Sequence, residues 1–172
     1  DLHSFPTRRS SDLSLLLFAA LAMTFCMNAS AENFFNGNVI ADIKLGGANG
    51  TGVWGFGVGY QKPITEFEGC TLAWDVLNFE FNAPFKKPGD GWMMSFKTGA
   101  RLFSPSFWND NLRGYTNLAM GYSYIGGAKT SAFGITYGLG LQFKEKFSVG
   151  YTLLYETAGS SKTHFATFGW TF

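Results

Sequence analysis

This sequence is short of charge, of cysteine and of long apolar runs, and each shortage removes a class of protein. Only 15% of its 172 residues are charged and the net charge is +1, so no bulk field favours nucleic acid or an acidic partner. Its two cysteines are Cys26 and Cys70, and the first falls in a segment expected to be removed. The exported chain then keeps Cys70 alone, which excludes an intramolecular disulfide. The longest apolar run, Leu13 to Met27, is shorter than the roughly 20 residues a membrane-crossing helix needs.

That run has the length of a signal-peptide core, and Ala29-Ser30-Ala31 follows it as an A-x-A cleavage site. Cleavage after Ala31 leaves a mature protein beginning at Glu32. A lipoprotein anchor at Cys26 is disfavoured by the bulky Phe25 before it. Residues 1–13, "DLHSFPTRRSSDL", lack an initiating Met and resemble the conceptual translation of a sequencing-adapter oligonucleotide. They are expected to be an assembly artefact. Residues 32–172 form the one expected domain.

What the chain has in excess is glycine and aromatic residues: 22 Gly, and 18% aromatic with 19 Phe. Both lower helix propensity, and aromatics suit strands. Turn-forming stretches recur at 46–52, 62–69, 85–91, 104–111, 126–131, 144–146 and 159–162, delimiting eight segments of about ten residues. Within them alternation is strict. "AFGITYGLGLQF" sets Phe133, Ile135, Tyr137, Leu139, Leu141 and Phe143 against Ala132, Gly134, Thr136, Gly138, Gly140 and Gln142. "VWGFGVGYQ" and "FSVGYTLLYE" follow the same rule.

A soluble barrel or sandwich packs its bulky residues inside. Here the face opposite the bulk is small or polar, the pattern of a narrow closed barrel with its large side chains turned to lipid. In hydrocarbon every backbone polar group needs a partner within the protein, so the strands must close without an edge. The expected fold is all-β: an eight-stranded antiparallel up-and-down transmembrane barrel.

The last segment, "THFATFGWTF", turns Phe168, Trp170 and Phe172 outward. It resembles the C-terminal signature of bacterial outer-membrane barrels, in which a terminal Phe and alternating apolar residues are read by the barrel-assembly machinery. The chain from Glu32 to Phe172 resembles the small eight-stranded OmpA/OmpX-like outer-membrane barrel group. That resemblance implies a Gram-negative outer-membrane location, a monomer in contact with outer-membrane lipid, and passage through the assembly machinery. It singles out no subfamily.

Alternation sends Asp42, Lys44, Asp75, Glu80, Lys97, Arg101, Arg113 and Glu156 into the lumen, given a bulge near Val76 to Leu77. Four acids face four bases. An eight-stranded interior is only wide enough to be filled by side chains, and an unpartnered charge there costs several kcal/mol. A paired plug is therefore expected rather than a channel. An even strand number puts both termini on one side, periplasmic by the resemblance. The outer turns then carry Lys86, Lys87, Lys129 and Lys162 against Asp90, candidate contacts for lipid headgroups or simply solubilising residues.

His164 is the only histidine of the expected mature chain and lies near Ser160, Ser161 and Glu156. Some barrels of this size are lipid A acylases or deacylases using His, Ser and an acid. A base must reach its nucleophile and an orienting group, yet parity points Glu156 inward and His164 outward. "GFGVG" and "YGLGL" lack nucleotide-loop spacing and read as lumen-facing glycines. Trp54, Trp74, Trp92, Tyr122, Tyr124 and Trp170 read as interface girdles. No catalytic, cofactor, metal or nucleic-acid site is expected. Three functions stay open: a structural or surface-interaction barrel, favoured; a lipid A-modifying enzyme; and a narrow pore for ions or small solutes.

Overall fold

The computed structural model describes residues 37–86, 91–126, 128–157 and 161–172, apart from the Ser161 side chain. The expected signal peptide and cleavage site, with Lys87, Asp90 and Ser160, lie outside the described residues. Eight strands follow one another: β1 Asn38–Ala48, β2 Thr51–Phe67, β3 Cys70–Pro84, β4 Met93–Phe103, β5 Leu112–Ile125, β6 Thr130–Phe143, β7 Phe147–Glu156 and β8 Ser161–Thr171. Each pairs antiparallel with its sequence neighbour. β1 also pairs with β8, from Ile40 opposite Thr171 to Ala48 opposite Thr163, so the sheet is a closed barrel. Closure removes the unpaired edges that hydrocarbon cannot satisfy.

Local chemistry sets the hairpins. Asn49-Gly50 and Glu68-Gly69 both hold two consecutive positive φ values, +48° and +78°, then +49° and +79°. This is the type I′ geometry whose twist matches antiparallel strands. The end holding the start of β1 and the finish of β8 is termed proximal here, and the end holding the β1–β2, β3–β4, β5–β6 and β7–β8 turns is termed distal.

The stretch 62–69 departs from its expected reading as a turn. β2 continues through it to Phe67, and only Glu68-Gly69 turn. Proline without an N–H is tolerated where the ladder breaks, and the register shifts between Pro63 and Thr65, leaving Ile64 unpaired. A second irregularity falls at Val76–Leu77. Gln61 faces Asp75 and Tyr60 faces Leu77 on one side, while Asp75 faces Gly99 and Asn78 faces Lys97 on the other. This bulge changes parity, so odd-numbered Asp75 and even-numbered Glu80 both point inward, and both are buried.

Burial alternates along β6 from Ser131 onward, with Gly140 only partly buried, and strictly along β8 from Lys162. Outward residues such as Ile43, Phe96, Leu118, Tyr137, Phe168 and Trp170 stay exposed, whereas Lys44, Asp75, Glu80, Lys97 and Gln142 are buried. The barrel is apolar outside and mostly polar within, with a few buried apolar side chains such as Phe103 and Phe165.

Candidate functional site: the lumen and its distal mouth

Glycines make the polar interior sterically feasible. On β2, a Cβ at Gly57 would lie 2.8 Å from Asp42 Oδ2, and Cβ atoms at Gly55 and Gly59 would collide with the side-chain oxygens of Asn82 and Asn78. The "GFGVG" glycines are thus the space into which polar side chains of β1 and β3 fold.

The charges sort by height along the axis. At mid-barrel Glu80 bridges two ammonium groups: Lys44 Nζ lies 2.6 Å from Oε1 and Lys97 Nζ 2.7 Å from Oε2. Asp42 stands 3.7 Å from Lys44. Nearer the proximal end, Asp75 accepts a 2.7 Å hydrogen bond from Gln61 Nε2 and one of 3.4 Å from Arg101 NH2. At the proximal mouth, Arg113 Nε donates to Gln142 Oε1 at 2.8 Å, and Arg113 NH1 lies 3.3 Å from Glu145 on the β6–β7 turn. Gln142 Nε2 in turn donates to the Glu145 carbonyl and to Thr171 Oγ1. Seven of the eight charged residues expected in the lumen are therefore held in ion pairs. Glu156 has none among the described residues.

Sequence reasoning missed the aromatic part of the plug. Phe103 is fully buried, and Tyr115 packs on it with ring centroids 6.2 Å apart. Arg113 sits 4.1 Å over the Phe103 ring and Arg101 5.1 Å over Tyr115, so guanidinium and ring planes alternate across the lumen. A parity signal was present, since Tyr115 lies two residues after inward Arg113. Gly140 and Gly150 leave the space for its ring. Around Asp42, Lys44, Glu80, Arg101 and Tyr115 only about 30 Å³ stays empty, room for about one water molecule.

At the distal mouth the lumen opens into a recess of about 250 Å³. Met93, Leu154 and Phe165 form a small apolar cluster there, with Val53 and Ile125 against it. Asn82 and Glu156 also face the recess. Neither Asn82 amide atom and not Glu156 Oε1 has a hydrogen-bond partner.

On the outer surface His164 Nδ1 is hydrogen-bonded to the Tyr151 hydroxyl, on the lipid-facing side of the wall. Glu156 lies on the lumen side, so this pair of candidates is separated by the sheet. Lys86, Lys129 and Lys162 are exposed at the distal end. Across β2 to β5 an aromatic band runs from Trp54 to Phe81 (5.8 Å), Trp92 (6.4 Å) and Tyr124 (5.6 Å). Trp170 and Phe172 stack in the same manner at the proximal end, 6.4 Å apart. Trp74 Nε1 donates to Thr98 Oγ1 at 2.9 Å. Among the described residues no cluster of His, Cys, Asp and Glu could hold a metal ion.

No family model matches the chain, and no curated protein matches it. Solved structures do. The outer membrane enzyme PagL aligns with a TM-score of 0.57 at 14% identity, covering 76% of this chain and 97% of that one. Neisserial surface protein A (NspA) aligns with a TM-score of 0.51 at 14% identity, covering 78% and 95%. At such identity the likeness speaks for the fold alone, and one of the two is an enzyme. The chain has the fold of the small eight-stranded β-barrels of the bacterial outer membrane.

Proposed function

We propose that this chain is a monomeric, non-catalytic outer-membrane barrel that serves envelope integrity or surface interaction, with its lumen closed by paired charges. The observation that carries this reading is the layer in which Glu80 bridges Lys44 and Lys97 beneath the Arg113–Phe103–Tyr115–Arg101 stack. The gap of only about 30 Å³ around that layer supports a closed lumen over a pore. Separation of Glu156 from His164 by the barrel wall supports the non-catalytic reading, because a base and its orienting acid must meet. The outward apolar belt with its aromatic bands supports a bilayer location, reached by export through a cleaved signal peptide. Outward Phe168, Trp170 and Phe172 are the residues offered to the barrel-assembly machinery, and Lys86, Lys87, Lys129 and Lys162 are those offered to lipid phosphates.

The test has two arms. Planar bilayers containing the purified protein should show no discrete conductance, and steady unitary currents would replace this reading with the pore. Lipid A mass spectra of a deletion strain should match those of its parent; a changed acylation pattern would replace it with the enzyme.

A further inference from the structure

The geometry points to a ligand site at the distal mouth of the barrel, taking a small organic cation: a protonated primary amine on a short aryl or alkyl body. Two observations meet there. The recess of about 250 Å³ is walled by Val53, Met93, Ile125 and Phe165. Into it face two side chains more than nine-tenths buried by accessible surface: Asn82, 3% exposed, neither of whose amide atoms has a hydrogen-bond partner, and Glu156, 7% exposed, whose Oε1 has none although the Ser123 hydroxyl and the Lys97 ammonium act on its carboxyl group.

The other acids of the lumen each have a cation within 4 Å: Asp42 and Glu80 share Lys44, and Asp75 faces Arg101. Glu156 has no such cation within 4 Å among the described residues, and Lys97, already paired with Glu80, acts on it only from farther away. A buried carboxylate accepts hydrogen bonds and donates none, so its complement is a charged donor. An ammonium group supplies three N–H donors for Glu156 and neighbouring hydroxyls such as Thr163, which also lines the recess.

The other end of the ligand follows from topology. Asn82 is on β3 and Glu156 on β7, four strands apart either way round an eight-stranded ring, so they face each other across the apolar collar. A body with an ammonium at one end and a hydroxyl or carbonyl at the other satisfies both. A cavity of about 150 Å³ accepts benzene, so this recess has room for one ring and two short polar arms. Tyramine has that shape; 4-ethylphenol lacks its ammonium and phenethylamine its hydroxyl.

The experiment titrates the full chain, purified in nonionic maltoside detergent, with these three probes by calorimetry and by NMR of the Asn82 side-chain amide. Tyramine should bind saturably with a dissociation constant below about 1 mM, at least tenfold tighter than 4-ethylphenol. Glu156→Gln should remove that preference, and Asn82→Ala should weaken tyramine more than phenethylamine. Met93→Trp, which fills the recess without touching the carboxylate, should abolish binding and keeps the test open should either polar variant fail to fold. Two results would overturn the proposal: no saturable binding by the parent chain, or equal binding by Glu156→Gln. The second would mean Glu156 is simply a protonated wall residue.

Discussion

Replacing Glu80 by glutamine tests the lumen plug at its centre. One carboxylate holds two ammonium groups, at 2.6 Å and 2.7 Å, and the Lys97 side chain has no solvent exposure at all. Glutamine keeps the shape but turns an N–H₂ toward one of the two lysines, so one ammonium meets a donor instead of an acceptor. Lys44 retains only Asp42 at 3.7 Å. Breaking a buried ion pair by removing one partner typically costs about 3–5 kcal/mol because a charge is left uncompensated. With two cations depending on the same group, Glu80→Gln belongs in the upper half of that range, about 4–5 kcal/mol.

The layer of Asp42, Glu80, Lys44 and Lys97 carries no net charge, whereas the Glu80→Gln layer is +1. Adding Lys97→Met restores neutrality in an apolar side chain of similar length, so the double variant should recover about half the loss or more. Urea unfolding in lipid vesicles, followed by tryptophan fluorescence and by mobility on unboiled gels, measures both. A loss below about 1 kcal/mol for the single variant, or a double variant no better than the single, would refute the reasoning. Either result would mean water reaches the two lysines, and the plugged lumen would fall with it.

Three other substitutions read other parts of the structure. At Gly140 a Cβ would stand 2.7 Å from the Gly150 Cα and 2.8 Å from the Tyr115 ring, so Gly140→Ala should cost about 1–3 kcal/mol by overpacking; unchanged urea stability would show that Tyr115 is not held there. Leu118 is half exposed midway along β5, and Leu118→Arg should lose about 2–4 kcal/mol in vesicles, as expected for a charge at the bilayer midplane. A neutral result would place that face in water. Arg113→Ala removes both the Gln142 hydrogen bond and the stack on Phe103, for about 1–2 kcal/mol. Glu145→Ala, whose side chain is largely exposed, should cost less than about 1 kcal/mol, and an equal loss from both would make the pair rather than the stack the stabilising contact.

The fold was legible wherever alternation was strict. In β6 every second residue is bulky, in β8 the alternation holds apart from outward Ala166 and inward Phe165, and the observed burial follows the same beat. The bulge near Val76 to Leu77 was legible as well, because Trp74 could not otherwise share the outward face with Phe79 and Phe81, and Asp75 and Glu80 then both turn inward. Residues 62–69 were not. Lys62, Pro63 and Glu66 look like turn chemistry, yet the β2–β3 hairpin extends past them, because a bulge at Ile64 absorbs the missing proline donor and two residues suffice for the turn. The Tyr115 pocket was hidden for a different reason. Its space is made by Gly140 and Gly150 on β6 and β7, and which glycine faces which ring depends on cross-strand register, which no single strand's pattern contains.

Charge shows the same limit of one-dimensional reading. Counting parity gives four acids and four bases in the lumen, and the count is neutral. Height along the axis decides whether neutrality is local. Arg113 faces Gln142 across one flank of β6, and Glu156 faces Gly134 across the other. Eight residues of β6 separate those positions, about 27 Å at ~3.4 Å per residue. At that distance the two charges are far beyond ion-pair contact and cannot partner each other. Arg113 is instead met by Glu145 from the adjoining turn, a residue outside the inward set. What balances as a sum is therefore polarised as a structure. A proximal base recruits an extra acid, and a distal acid, with no cation within 4 Å among the described residues, faces a largely apolar recess. That asymmetry is why the distal mouth, and not the charge-filled middle of the barrel, is where a ligand carrying its own positive charge would find a complement.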